Sequence, residues 1–361
     1  MSRRERLAAL LRERHLDALL LTTASPENLQ YATEFHGLEG FVLLTAAGDG
    51  FVITDSRYSE AAQAEIAPRG FTIQVPETGG AAVDMLNSLL LQNGIRTLGF
   101  SDDRMPVQEY RRLRDRLADC RLESLGSALL SLRACKEACE IDSIIAAQRI
   151  AEGAFEDLLG LIRPGMTEAS LTAELEYAMK KRGSQRPSFD TILISGAKTS
   201  MPHGVPGEKT VQSGDFITVD FGAVVNGYHS DMTRTFALGS ATPEMQKVYD
   251  IVLEAQLAGI EACTAGAACS AVHRAAHAVI ADAGYGGFFG HAFGHGVGLE
   301  IHEQPSVSMA ARQTLTPGMI VTAEPGIYLP GAFGVRIEDM LLIQEDGVQN
   351  LTNTPKELLI L

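Results

Sequence analysis

The chain is poor in residues that would announce several common chemistries. Cysteine occurs five times, at Cys120, Cys135, Cys139, Cys263 and Cys269, an odd number with no Cys-x-x-Cys pair. Although Cys135 and Cys139 have the spacing of a ligand pair on a helix, the pattern reads as free structural thiols in a reducing compartment, the cytoplasm. Positive charge is scarce as well, with 30 Lys+Arg against 45 Asp+Glu and a net charge of −15. Such a surface repels phosphate backbones and anionic headgroups, so neither nucleic acid nor a membrane is the expected partner. No apolar run approaches the roughly 20 residues of a membrane span. The opening MSRRERLAALLRERHLDALLL interleaves charge with leucine and meets no small-residue cleavage site. It reads as an amphipathic helix running into a strand rather than a secretion signal.

What is present is enough apolar surface, 45% of 361 residues, for two cored domains. Residues 1–125 alternate strand-like runs (Ala18–Thr22, Phe41–Thr45, Phe51–Thr54, Phe71–Val75, Thr97–Phe100, Arg121–Glu123) with helical ones (Arg57–Ile66, Ala81–Gln92, Pro106–Leu117). AAGDG joins two of the strands as a hairpin. This predicts an α/β domain with a mixed sheet. It carries no phosphate loop, triad or metal cluster, which fits a supporting or substrate-capping role. Residues 126–136 read as a linker, and 137–361 as a second domain opening on a long helix to Leu161. A helix–break–helix unit then recurs after 101 residues, aligning Gly165 with Gly266 and Gly183 with Gly284. Two related halves could enclose a cleft.

The second domain holds the chemistry. FGHAFGHGVGLEIHE (Phe289–Glu303) sets His291, His295 and His302 among four glycines, more imidazole beside more close-approach backbone than packing requires. Upstream, TVDFGAVVNGYHSDMTRTF reads as a hairpin turning at Asn226-Gly227. Counting out from that turn pairs Val225 with Tyr228, Gly222 with Asp231 and Asp220 with Thr233, so Asp220 and Asp231 share a face as diagonal neighbours. Gly222 between them leaves space for ions. His229, on the same face, reads as a solvent-edge histidine rather than a further ligand. Downstream, Glu324 follows the strand MIVTA and Glu338 lies within the strand VRIEDMLLI, where Arg336 shares its face and Asp339 points away. Carboxylates in such apolar runs are costly unless paired or metal-bound, and a plain Arg336–Glu338 pair is the competing account. Asp220, Asp231, His295, Glu324 and Glu338 are the candidate ligands. Four oxygen donors with one imidazole suit two divalent ions of the Mn²⁺ type, with Co²⁺ or Zn²⁺ as alternatives. His203, in the loop MPHGVPG, His291 and His302 remain free for substrate or a developing oxyanion. His273 and His277 lack the glutamate of His-Glu-x-x-His and read as a helix surface.

TVDFG…SDMTRTF, GHGVGLEIHE, AEPGIY and VRIED together closely resemble the pita-bread metallopeptidases of family M24, and within it the Xaa-Pro peptidases, aminopeptidase P and prolidase. The resemblance covers about residues 135–361, and residues 1–125 resemble the creatinase-type N-terminal domain of the same proteins. It implies a catalytic domain of pseudo-twofold halves and a two-metal site on the five ligands, with Asp231 and Glu338 bridging. It also implies attack on the scissile carbonyl by a metal-bridging hydroxide, with Glu324 as the base and His203 and His302 stabilising the tetrahedral intermediate. His291 and Arg336 would bind substrate. The implied substrate is a proline-containing peptide and the implied assembly a homodimer. One departure separates the two activities. Where many prolidase-like members carry an arginine for the dipeptide carboxylate, four residues after His302, this chain has Ser306; Arg312 lies outside the motif. The expected function is thus removal of the N-terminal residue from Xaa-Pro peptides, with Xaa-Pro dipeptide cleavage second. A non-catalytic peptide-binding member of the fold is the reading from another class, disfavoured because all five ligands are kept.

Overall fold

The computed structural model describes residues 2–78, 81–117 and 119–361. The chain divides into two compact units, Met1–Arg133 and Ala134–Leu361. In the first, strands β1 (Ala18–Thr22), β2 (Phe41–Thr45), β3 (Gly50–Ile53), β4 (Phe71–Gln74), β5 (Thr97–Phe100) and β6 (Arg121–Ser124) form one sheet in the order β4-β3-β2-β1-β5-β6. β2 pairs antiparallel with β1 and β3, while β3–β4, β1–β5 and β5–β6 are parallel. This is the mixed sheet the alternation predicts. The central strands β1 and β2 are buried along their whole length, as apolar runs without period-two alternation must be. Leu20, Leu43 and Leu98 pack with Leu86, Leu89 and Leu90 of the helix Ala81–Gln92. The expected helix over Arg57–Ile66 forms as a short α-turn, Ser59–Ala61, continuing into a π-turn, Ala62–Ile66.

The second unit is built twice over. Helix Ala138–Leu161 precedes helix Glu168–Lys181, and helix Pro243–Ala262 precedes helix Cys269–Asp282. The later pair ends 101 residues after the earlier at both C-termini, and the two second helices match in length, 14 residues each. Gly165 and Gly266, which open the breaks, both have positive φ, 92° and 81°, as do the closing Gly183 and Gly284. Only a residue without Cβ adopts that backbone cheaply, which is why the repeat is visible as glycine spacing.

Each helix pair backs its own sheet. In the first half β7 (Ile192–Ser195), β8 (Phe216–Phe221) and β11 (Met232–Ala237) run in the order β11-β8-β7, with the short pair β9 (Val224–Val225) and β10 (Tyr228–His229) at the hairpin tip. In the second, β12 (Gly294–Gly296), β13 (Glu303–Val307), β14 (Ile320–Ala323), β17 (Asp339–Gln344) and β18 (Gly347–Asn350) run β13-β12-β14-β17-β18. β15 (Gly326–Leu329) and β16 (Phe333–Arg336) form a separate hairpin. The cores differ accordingly. Phe155, Leu171, Leu175, Ile217, Val219 and Phe236 fill one, and Val248, Val252, Val272, Phe293, Val321 and Leu341 the other. Among the described residues, no helix is long and apolar enough to cross a membrane.

Three local expectations need correcting. VRIEDMLLI is not one strand: β16 ends at Arg336 and β17 begins at Asp339, so Glu338 sits in a break, its N–H donated across to the Thr233 carbonyl (3.1 Å). The space at Gly222 is not left for ions, because a Cβ there would overlap the Ser230 carbonyl and the Ser188 side chain. His273 is buried, not on a helix surface; its Nδ1 accepts the Phe293 N–H at 3.1 Å.

Candidate active site and its relatives

The hairpin register sets the first two carboxylates. Tyr228 faces Val225 and Thr233 faces Asp220, the pairing counted from the Asn226-Gly227 turn, with Asn226 at φ 51° and Gly227 at 77°. Asp220 lies within β8 and Asp231 in the interruption just before β11, and both line the same cavity. The second half contributes His295 from β12, Glu324 just past the end of β14 and Glu338 from the break before β17. These five, with His203, His291, His302 and Arg336, all line one cavity of about 1030 Å³.

Within it, one ligand atom each from Asp231, His295 and Glu338 lie within 4.8 Å of one another. His295 Nε2 is 3.5 Å from Asp231 and 3.4 Å from Glu324. Its Nδ1–H is donated to the Gly296 carbonyl (3.1 Å), which leaves Nε2 as an unprotonated lone pair aimed at the carboxylates. Burial holds this imidazole down at a pKa of about 4. Thr322 Oγ1 accepts the His295 N–H (3.0 Å) and donates to Glu324 (3.2 Å). Thr233 Oγ1 donates to Glu338 (2.6 Å) and accepts from Arg336 Nε (3.0 Å).

The carboxylates are crowded and dry. Burial first, and then Glu338, Asp220 and Glu324, push Asp231 far above the ordinary carboxylate range. Burial, then Glu324 and Asp220, does the same to Glu338. Burial raises Glu324 to about 8 against the opposing pull of Arg336. Asp220 Oδ1 is buried without a hydrogen-bond partner. Like charges forced together out of water, one oxygen orphaned and one imidazole lone pair aimed inward, make a donor set that fits divalent cations.

Arg336 does not form the pair with Glu338 that was the competing account. Its Nη2 donates to Asp220 (2.6 Å) and its Nη1 to Tyr328 (3.0 Å). Asp339 does point away, into Arg234 (2.8 Å) and Lys356 (2.7 Å). His291 has both ring nitrogens engaged, by the Ala292 carbonyl (2.8 Å) and the Tyr328 hydroxyl (2.9 Å). His302 stands against His295, ring centroids 4.3 Å apart. His229 is buried rather than at a solvent edge, held between Ser188 (2.8 Å) and Arg186 (3.2 Å), its pKa lowered by burial to about 4.

Tyr328, Thr233 and Thr322 escape the sequence reading. Hydroxyl residues in apolar strands look like ordinary β-formers, and the one cue was that Tyr328 follows Glu324 by four residues in AEPGIY.

Residues 142–345 match the model of metallopeptidase family M24, and residues 3–135 that of the creatinase/prolidase N-terminal domain. The chain is 35% identical to an Xaa-Pro dipeptidase of Pyrococcus furiosus over 99% of both chains. Among solved structures it superimposes on an Xaa-Pro dipeptidase from Bacillus anthracis with a TM-score of 0.94 at 39% identity, covering 99% of each chain. It superimposes on an X-Pro aminopeptidase from Thermotoga maritima with a TM-score of 0.92 at 34% identity, covering 98% of this chain and 100% of that one. The pita-bread architecture, the creatinase-type N-terminal domain and the crowded carboxylate cavity thus converge, and the chain belongs to metallopeptidase family M24.

Proposed function

We propose that the protein is an Xaa-Pro peptidase that removes the residue before proline from peptides longer than two residues. Asp220, Asp231, His295, Glu324 and Glu338 would hold two divalent ions, Mn²⁺ by the oxygen-rich donor set. Such a pair supplies Lewis acidity and lowers the pKa of water. The chain's own residues do the rest. Glu324 takes the proton of the attacking water, its carboxylate held in place by the Thr322 hydroxyl. His203 and His302, which share the cavity, donate hydrogen bonds to the oxyanion as the carbonyl becomes tetrahedral. Arg336, with Thr233 and Tyr328, fixes Asp220 in place. His291 holds the Tyr328 hydroxyl from the other side.

The observation that carries the preference for longer peptides concerns cations. Arg336 is the one Lys or Arg among the residues lining the cavity, and it is committed to Asp220, Thr233 and Tyr328. Ser306 lines the cavity and Arg312 does not. No guanidinium or ammonium among the described lining residues is spare for a dipeptide's terminal carboxylate. The dipeptidase relatives favour the second reading, hydrolysis of Xaa-Pro itself. Comparing kcat/KM on Leu-Pro-Gly and Leu-Pro decides: at least about tenfold preference for the tripeptide is expected from one missing charged contact, and the reverse order assigns the dipeptidase.

A cytoplasmic location is supported by five free cysteines, and a homodimer by the family resemblance, which sedimentation would test. Residues 137–361 are taken as the catalytic domain and 1–125 as its support, joined through 126–136.

A further inference from the structure

Whereas His302 and Glu324 each adjoin a strand end of the second sheet, His203 stands on a long connection between strands. It lies on a loop that leaves β7 at Gly196 and returns at Gly207, and it lines the cavity without a hydrogen bond of its own among the described residues. Its neighbours Met201 and Val205 are 58% and 76% exposed. A side chain so placed keeps its position only if the base of the loop is rigid.

The base is gathered by one carboxylate that is not among the residues lining the cavity. Glu168, on the first turn of helix Glu168–Lys181, is fully buried. Its Oε1 accepts the N–H (2.9 Å) and the hydroxyl (3.0 Å) of Ser195 on the outgoing limb. Its Oε2 accepts Lys198 Nζ (2.6 Å) on the same limb and the Gly207 N–H (3.2 Å) on the returning limb. Lys209 Nζ donates to the Ser195 hydroxyl (2.6 Å) and to Asp215 (3.0 Å), closing the ring of contacts. Higher up, Thr199 Oγ1 accepts the Gly334 N–H (2.9 Å) of β16, the strand that ends in Arg336.

The helix–break–helix unit does not itself need this carboxylate. The position 101 residues later is Cys269, whose N–H is donated to the Gln313 carbonyl as that of Glu168 is to the Lys209 carbonyl. The twin forms the same 14-residue helix from that position with no charged group there.

We propose that Glu168 is a positioning residue for the reaction: it clamps both limbs of the 196–207 loop and acts on the chemistry through His203. The inference rests on the assignment of His203 to the oxyanion. Its test is a double-mutant cycle on the metal-loaded enzyme with Glu168→Gln, His203→Ala and the double variant, scored by kcat, KM, bound metal and melting temperature. Glu168→Gln should lower kcat about 10- to 100-fold, the range expected of a misplaced group, with KM and metal content little changed. In the His203→Ala background the same substitution should cost less than about twofold, because the residue it positions is gone. Lys198→Met, which removes one donor from a partly exposed side chain, should show the same pattern more weakly, and serves if Glu168→Gln does not fold. An equal fall in kcat in both backgrounds, or a fall accounted for by lost metal, overturns the clamp. If His203→Ala alone leaves kcat intact, it is the oxyanion assignment that fails, and the clamp with it.

Discussion

Glu324 stands just past the end of a buried strand, its carboxylate oriented by the Thr322 hydroxyl and facing His295, and that placement is what suits it to accept a proton. Glu324→Gln keeps the shape and removes the basicity. Hydrolysis of a Xaa-Pro-Yaa peptide should fall by about 10²–10⁴, while circular dichroism and melting temperature stay near wild type; full turnover would remove Glu324 as the base. Thr233 is the less visible partner. Its hydroxyl joins Glu338 to Arg336, and Thr233→Val keeps the β-branched shape while breaking both bonds. Loss of such a supporting contact should weaken metal affinity by about 10- to 100-fold, read by titration of the metal-free protein with Mn²⁺. Unchanged affinity would mean that Glu338 needs no orienting.

Among the elements, the β8–β11 hairpin does the most with the least. A two-residue turn and a register kept across the interruption at 222–223 and 230–231 bring two aspartates to one cavity, and a single-residue slip would turn a whole strand's side chains to its other face. The histidine-bearing segment is held differently. His273 on helix Cys269–Asp282 accepts the Phe293 N–H, two residues before His295, and only the neutral ring can do so. Burial lowers the His273 pKa below its ordinary 6.5, so the folded state binds fewer protons than the unfolded one in that interval. Its contribution to stability is present above pH 6.5 and is lost as pH falls towards the folded value. Wild type should therefore lose more melting temperature than His273→Gln between pH 7.5 and pH 5.5. Equal losses would show that this hydrogen bond does not sense the proton.

For the molecule as a whole, the cavity joins two sheets that have separate cores. Carboxylates from both sheets repel one another until cations neutralise them, so metal should act as a staple between the halves. Chelation should lower the melting temperature and abolish hydrolysis, and Mn²⁺ should restore both in a concentration-dependent way. Turnover that survives complete removal of metal would defeat the reading.

Legibility followed how locally each feature is specified. The mixed sheet, the helix pairs and the hairpin register could be counted from periodicity, paired glycines and a turn dipeptide, because backbone sterics enforce them within a few residues. The acidic residues that meet in the cavity were readable because carboxylates in apolar strands stand out against their neighbours. What only the tertiary structure decided was partnership across the halves. Arg336 reaches Asp220 rather than Glu338, the VRIED strand breaks so that Glu338 can donate its N–H to Thr233, and His273 turns inward to Phe293. Each of these depends on which groups meet over separations of 20 to 116 residues. A chain read in one dimension carries the charge and the propensity of every residue but not the identity of its distant neighbour, and in a dry, crowded cavity it is that neighbour that sets the chemistry.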